Sequence, residues 1–229
     1  MRKTWPLLLA SLLLFAAGAQ SATAWTEGKH YFLIEPRQPT SAAPGKIEVT
    51  EAFSYGCPAC NQFYPIADQI KKGLPPNAQM VYLPASFIPT ENWPMFQRAF
   101  CTAQALGIVD RTHDAMFDAV WKTGELGITD PATGRLKKSM PTIEDAAKFY
   151  ARVGGVKEKD FVAAAASFGV ETAMRRADLL MKNYKVPGTP TIIINGRYRL
   201  DGASAGGYSQ LIELVNWLVA KESQQQQPK

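Results

Sequence analysis

Cysteine is scarce, with three residues in a chain of 229. A scaffold stapled by disulfides needs more, so the chain must fold around a mainly hydrophobic core. Histidine is scarcer still, at two residues. Neither charge sign dominates: the formal net charge is +5 with 20% charged residues, too weak a bias to argue for nucleic acid. No internal repeat occurs, and the 17 Gly and 16 Pro follow no period, which excludes collagen-like and mucin-like chains. What is abundant is apolar: 46% of residues are hydrophobic, the opposite of a disordered composition. The length suits one large domain or a domain carrying a sizeable insertion.

Residues 1–24 open with Arg2-Lys3, continue through the apolar run Leu7–Ala17 and end on Ala22-Thr23-Ala24. This is the three-part pattern of a cleaved secretory signal peptide, and the run is too short for a comfortable membrane span. The segment holds two basic groups and no acidic ones, leaving +3 on the rest. No cysteine precedes Cys57, so no lipid-modified cysteine is expected near the start. The protein is expected to be exported, so its three thiols meet an oxidising compartment.

Residues 25–46, broken by Pro36, Pro39 and Pro44, read as an extended lead-in. Lys46–Tyr55 largely alternates as a strand does, with Ile47, Val49, Glu51, Phe53 and Tyr55 on one face. Asn61–Lys72 has helical spacing, although Pro65 lies inside it, and Gly73 with Pro75-Pro76 stops it. Gln79–Pro84 reads as a second strand. From about Glu91 to Lys185 the signals are almost all helical, including a capping box at Thr142–Asp145 with Asp in place of Glu. Thr191–Ile194, Asn195-Gly196 and Arg197–Leu200 form a hairpin signal, and Tyr208–Lys221 a final amphipathic helix. The sequence thus predicts a first sheet-forming part at 25–89, an inserted helical domain at 90–185, a second sheet-forming part at 186–222 and a disordered tail at 223–229. Without the insertion the order is βαβ–ββα. Two strands joined by a helix run parallel when they share a sheet, and the hairpin adds antiparallel pairs. The fold class is α/β, a mixed sheet with helices on its faces.

Cys57 and Cys60, separated by Pro58-Ala59, sit where the first strand gives way to the first helix. Pro58 suits the first helical turn, whose N–H groups lack partners anyway. Half of a zinc site is one reading, but only Cys101, His30 and His113 remain as further ligands, with no second paired spacing. A structural disulfide is another, but closing so short a loop stabilises by roughly 2 kcal/mol. In the third, the helix N-terminus points N–H groups and the positive end of its dipole at Cys57, stabilising a thiolate that exists only when the bond is reduced. Lowering a thiol pKa by about three units is worth roughly 4 kcal/mol between protonation states. The reduced form then competes with the closed loop, and the disulfide becomes an oxidant.

Gly188-Thr189-Pro190 precedes the hairpin. It reads either as a helix-terminating turn or as a cis-proline loop facing Cys57, where the Thr189 backbone pairs with an extended substrate. Cys-Pro-x-Cys opening the first helix, the Thr-Pro loop and the long helical insertion together resemble the DsbA family of bacterial periplasmic thiol:disulfide interchange proteins. The segments Glu27–Tyr31, Phe53–Cys60 and Thr191–Tyr198 add to the likeness. The resemblance covers nearly all of the chain after residue 24. It implies a thioredoxin fold interrupted by a helical domain. The reading favoured here is a monomeric dithiol oxidase, with no metal or cofactor expected. The resemblance further implies oxidation of reduced, unfolded exported polypeptides and reoxidation by a quinone-linked membrane oxidase. By resemblance Cys57 is the exposed nucleophile and Cys60 its shielded partner, while Thr189 and Pro190 belong to a substrate-facing loop. Glu51, six residues before Cys57, matches a buried acidic position able to accept the Cys60 proton. The family often has His where this chain has Ala59, which removes one stabiliser of the Cys57 thiolate.

Two further functions fit the same residues less well: a disulfide isomerase or reductase, and a non-catalytic holder of exported chains. Cys101 reads as a buried small hydrophobe rather than a third redox thiol, and His113 as a surface or capping residue rather than a ligand. Tyr55, Phe63, Tyr64, Trp93 and Phe96 either line an apolar surface beside the dithiol or fill the core.

Overall fold

The computed structural model describes residues 24–226; the expected signal segment, apart from Ala24, and the last three tail residues lie outside them. Five strands form one mixed sheet: β1 (Phe32–Leu33), β2 (Ile47–Phe53), β3 (Ala78–Pro84), β4 (Thr191–Ile194) and β5 (Tyr198–Leu200). Their spatial order is β1-β5-β4-β2-β3. The helix between β2 and β3 is α1 (Pro58–Gly73), and it makes them parallel, with Glu51 opposite Tyr82. β4 runs antiparallel to both β2 and β5. The hairpin turn places Asn195 and Gly196 at positive φ, as a two-residue Asn-Gly turn requires.

Between β3 and β4 the chain builds the helical insertion. It comprises α2 (Trp93–Ala105), α3 (Val109–Trp121), α4 (Ile143–Gly154), α5 (Glu158–Ala165) and α6 (Phe168–Asn183). The expected capping box is present, with Thr142 and Asp145 exchanging bonds at the start of α4. After β5 come a one-turn helix, α7 (Gly202–Ala205), and the closing helix α8 (Tyr208–Gln226).

Two local readings are corrected. The lead-in contains a strand, since Phe32 and Leu33 pair with Arg199 and Tyr198; two residues carry too little periodicity to be seen. β2 is the strand that its alternation implies. All seven of its residues are buried, because β3 and β4 flank it and helices cover both faces. The tail expected to be disordered from 223 remains helical to Gln226, with Ser223 Oγ donating to Val219 O and accepting from Asn77 Nδ2. Glutamine is a fair helix former, and nothing before Pro228 breaks the run.

Two cores flank the sheet. Ile47, Val49, Ile192 and Ile194 pack with Leu214, Val215 and Leu218 of α8. Ala52, Phe53 and Ile193 instead join Phe96, Phe100, Phe117 and Tyr150 from the insertion. β2 therefore serves both cores, and its last residues lead directly into the Cys-Pro-Ala-Cys turn.

Candidate active site

Cys57 is the N-cap of α1, with φ −88° and ψ 118°, and Pro58 occupies the first helical position. The backbone N–H of Cys60 donates to Cys57 Sγ at 3.3 Å. Cys57 is not the exposed cysteine that the resemblance implies: it keeps only 5% of its surface exposed, and Cys60 none. Pro58 and Ala59 are exposed between them. The Cys57 thiol is lowered to about 6. The Cys60 thiol, which donates to its sulfur, contributes most; the Thr189 side chain and the N–H groups of Cys60 and Ala59 also lower it, against burial. Burial first, then its bond to Cys57, holds the Cys60 thiol far above the ordinary thiol range. The two sulfurs are thus unlike: one ionises below neutrality and its neighbour stays protonated.

The Thr189–Pro190 peptide is cis. The loop faces the dithiol, since the Thr189 carbonyl accepts from Cys57 Sγ at 3.4 Å. The Thr189 hydroxyl is buried without a hydrogen-bond partner while Cys57 carries its proton, which leaves it free to turn toward an ionised sulfur. The Gly188 carbonyl is tied back by Thr191 Oγ1 at 2.7 Å. The loop forms one wall of a groove of about 500 Å³, and Asp201, Gly202 and Tyr208 form another. Sequence reading passed over Tyr208; the Gly-rich stretch before it was the available signal.

Glu51 is buried beneath the dithiol, with neither carboxyl oxygen hydrogen-bonded. Burial raises it to about 8, with lesser contributions from Asp114 and Cys57, so it holds its proton at neutral pH. Once Glu51 ionises, its charge adds to what holds the Cys60 proton.

His113 is neither a surface nor a capping residue. It is 5% exposed, the N-cap of α3 is Ile108, and its Nδ1 lies 2.9 Å from the Tyr55 hydroxyl. Burial pushes its pKa down to about 3, so the ring is neutral and fits among Phe53, Tyr82 and Phe117. An aromatic cage cannot be read from linear spacing. Tyr55, Phe63, Trp93 and Phe96 are core residues, whereas Tyr64 is half-buried and stacks on Phe117 at 5.2 Å. Cys101 is buried and lifted to about 12 by that burial, which leaves it a neutral apolar filler.

No family model matches the chain. Among curated proteins, the thiol:disulfide interchange protein DsbA of Pseudomonas aeruginosa is 36% identical over 215 residues, covering 94% of this chain and 93% of its own. The chain belongs to the DsbA family. The DsbA of Burkholderia cepacia is 31% identical over 220 residues, 96% of each chain. The crystal structure of Pseudomonas aeruginosa DsbA superposes with a TM-score of 0.72 at 35% identity, over 86% of this chain and 94% of that one. The oxidoreductase DsbA from Xylella fastidiosa gives 0.73 at 29% identity, over 85% and 96%. The chain is therefore a thiol:disulfide oxidoreductase with a thioredoxin fold interrupted by a helical domain. Membership of the DsbA family also bears out the resemblance read from Cys-Pro-x-Cys and the Thr-Pro loop.

Proposed function

We propose that this DsbA-family protein works as an oxidant of reduced polypeptides, with Cys57 as its nucleophilic sulfur. A substrate thiolate attacks Cys57 Sγ of the Cys57–Cys60 disulfide. A mixed disulfide forms, and the electron pair of the broken bond leaves on Cys60. Cys60 then needs a proton, and the protonated Glu51 beneath it is the donor. A second substrate thiolate attacks the substrate sulfur of the mixed disulfide, and Cys57 departs as a thiolate. The substrate has lost two electrons and the protein has gained them. Reoxidation runs this backwards: Cys60 must lose its proton, and Glu51 accepts it once it has given up its own.

The observation that carries the reading is the asymmetry of the two sulfurs. A Cys57 thiol lowered to about 6 is a good leaving group and favours the reduced state, which drives the disulfide toward the substrate. The Thr189 carbonyl, released when Cys57 ionises, offers an acceptor to an extended chain lying along the Gly188-Thr189-Pro190 loop. Pro58 and Ala59 serve as the spacer that holds both sulfurs on one helical turn.

The partners we assign are reduced, unfolded exported polypeptides, with a quinone-linked membrane oxidase taking the electrons; the setting is the periplasm. Oxidised protein mixed with a reduced, unfolded cysteine-containing polypeptide is expected to transfer its disulfide rapidly. A Cys57→Ser variant that transferred equally well would refute the assignment. Inner-membrane vesicles containing the oxidase and quinone should reoxidise the dithiol, and solubilised lipid alone should not.

A further inference from the structure

The two residues just before Cys57 are held from the inserted domain. Trp121, the last residue of α3, donates its indole N–H to the Tyr55 carbonyl at 2.8 Å. His113, two turns earlier on α3, meets the Tyr55 hydroxyl at 2.9 Å. Tyr55 is thus gripped at its backbone and at its side-chain tip by one helix. Gly56 is confined by α2, since a Cβ there would lie 2.9 Å from the Trp93 indole. The grip is dry: Tyr55 is 1% exposed, and its ring packs against Phe53 and Phe117 at 5.1 Å. Nothing in the exchange chemistry uses these groups directly.

We propose that Trp121 and His113 are positioning residues for the exchange reaction, clamping Tyr55 so that the dithiol form keeps Cys57 at the N-cap of α1. The inference rests on the assignment of Cys57 as the exchanging sulfur. In the oxidised protein the bond to Cys60 holds Cys57 in place covalently. In the reduced protein only the backbone does so, and the Cys60 N–H to Cys57 Sγ contact depends on where Tyr55 and Gly56 put that backbone. A hydrogen bond to a buried carbonyl gives a modest net stabilisation, and leaving that carbonyl unpaired costs more. Loosening the clamp therefore weakens the reduced state more than the oxidised one. The insertion, besides covering the sheet, sets how strongly the dithiol form is favoured.

The test is the redox equilibrium with glutathione, measured for the full-length protein beside its melting temperature. Wild type exchanging with glutathione checks the underlying assignment, and the variants check the clamp. Trp121→Phe keeps the ring and deletes the donor; it is expected to shift the equilibrium about threefold to tenfold toward the disulfide form. Trp121→Gln restores a donor and should recover part of that shift even with its packing lost. A Trp121→Phe protein that melts earlier but equilibrates like wild type overturns the proposal, because the tryptophan is then packing alone. Should Trp121→Phe fail to fold, Tyr55→Phe decides, since it removes only the hydroxyl held by His113. An unchanged equilibrium there overturns the proposal, and a shift toward the disulfide supports it.

Discussion

Glu48 and Glu51 lie three residues apart on β2, both buried, and only Glu48 is hydrogen-bonded. Glu48 accepts from Ser41 N and Oγ, Ala42 N and Thr50 Oγ1, whereas Glu51 accepts from nothing. The same residue type on the same strand thus has two opposite uses. One carboxylate ties the lead-in to the sheet, and the other stays unsatisfied beneath the dithiol at a cost to the fold.

That cost is measurable through Glu51. Its folded pKa, about 8, lies above the ordinary value of 4.5. Between those values the unfolded chain ionises the group while the folded chain keeps it protonated, so stability falls as pH rises from about 4.5 to 8. Glu51→Gln removes that slope. At pH 7 the variant is expected to be more stable by about 3 kcal/mol, reading the interval at 1.4 kcal/mol per pH unit. Denaturant unfolding at several pH values checks it; a variant as pH-dependent as wild type contradicts the argument.

Glu48→Ala should do the reverse. It strands Thr50 Oγ1 in the buried sheet and frees Ser41 and Ala42, which can turn to water. The expected loss is about 2 kcal/mol, with little effect on thiol exchange. A Glu48→Ala protein that unfolds at the wild-type denaturant midpoint would show that those bonds carry no net stability.

Strand β2, the parallel crossover, the hairpin and the helical insertion are all legible in the sequence because each is a local signal. Alternation, helical spacing, Asn-Gly and Pro58 in a first turn need no distant partner. The dithiol is legible for the same reason, since Cys57 and Cys60 carry their geometry on one helical turn. His113 is not legible because its partners come from separate segments, Tyr55 from the turn after β2 and Tyr82 from β3. β1 was missed because two residues have no period. The helical residues 223–226 were read as tail on composition alone, whereas a helix already docked by Leu218 and Val219 continues as far as nothing stops it. Glu51 shows the boundary between the two cases. Its place on an apolar face was readable, but its lack of any donor, the property that perturbs it, depends on the whole sheet.

Thr189→Val keeps the shape of the loop and deletes the hydroxyl that steadies an ionised Cys57. Hydrogen bonds to charged groups contribute about 1.5–3 kcal/mol. The thiolate midpoint is accordingly expected to rise by about one pH unit. Absorbance of the thiolate near the far ultraviolet edge, followed during acid titration of the reduced protein, reads this directly. An unmoved midpoint would mean that the hydroxyl never turns to the sulfur.

Ala59→His adds a cation beside the same sulfur. A neighbouring opposite charge lowers an acid by about 1–3 units, and the exposure of position 59 puts the effect at the low end through solvent screening. The reduced variant is expected to titrate about one unit below wild type and to oxidise substrates more completely. Equal midpoints for the two proteins would remove Ala59 from the account of acidity.

The pH dependence of the glutathione equilibrium follows from the Cys57 value. Below about pH 6 both Cys57 and the glutathione thiol, near 8.5, are protonated, and proton release does not distinguish the two sides of the reaction. Between about pH 6 and 8.5 the reduced protein sheds one proton that reduced glutathione keeps. Each pH unit in this window then shifts the equilibrium about tenfold toward reduced protein and oxidised glutathione. Above it, glutathione ionises as well, and because two glutathione thiols are consumed per disulfide the trend reverses. The Cys60 thiol, held far above this range, does not enter. A profile flat from pH 6 to 8 would mean that Cys57 does not ionise early, and the driving force assigned to it would have to come from the disulfide form instead.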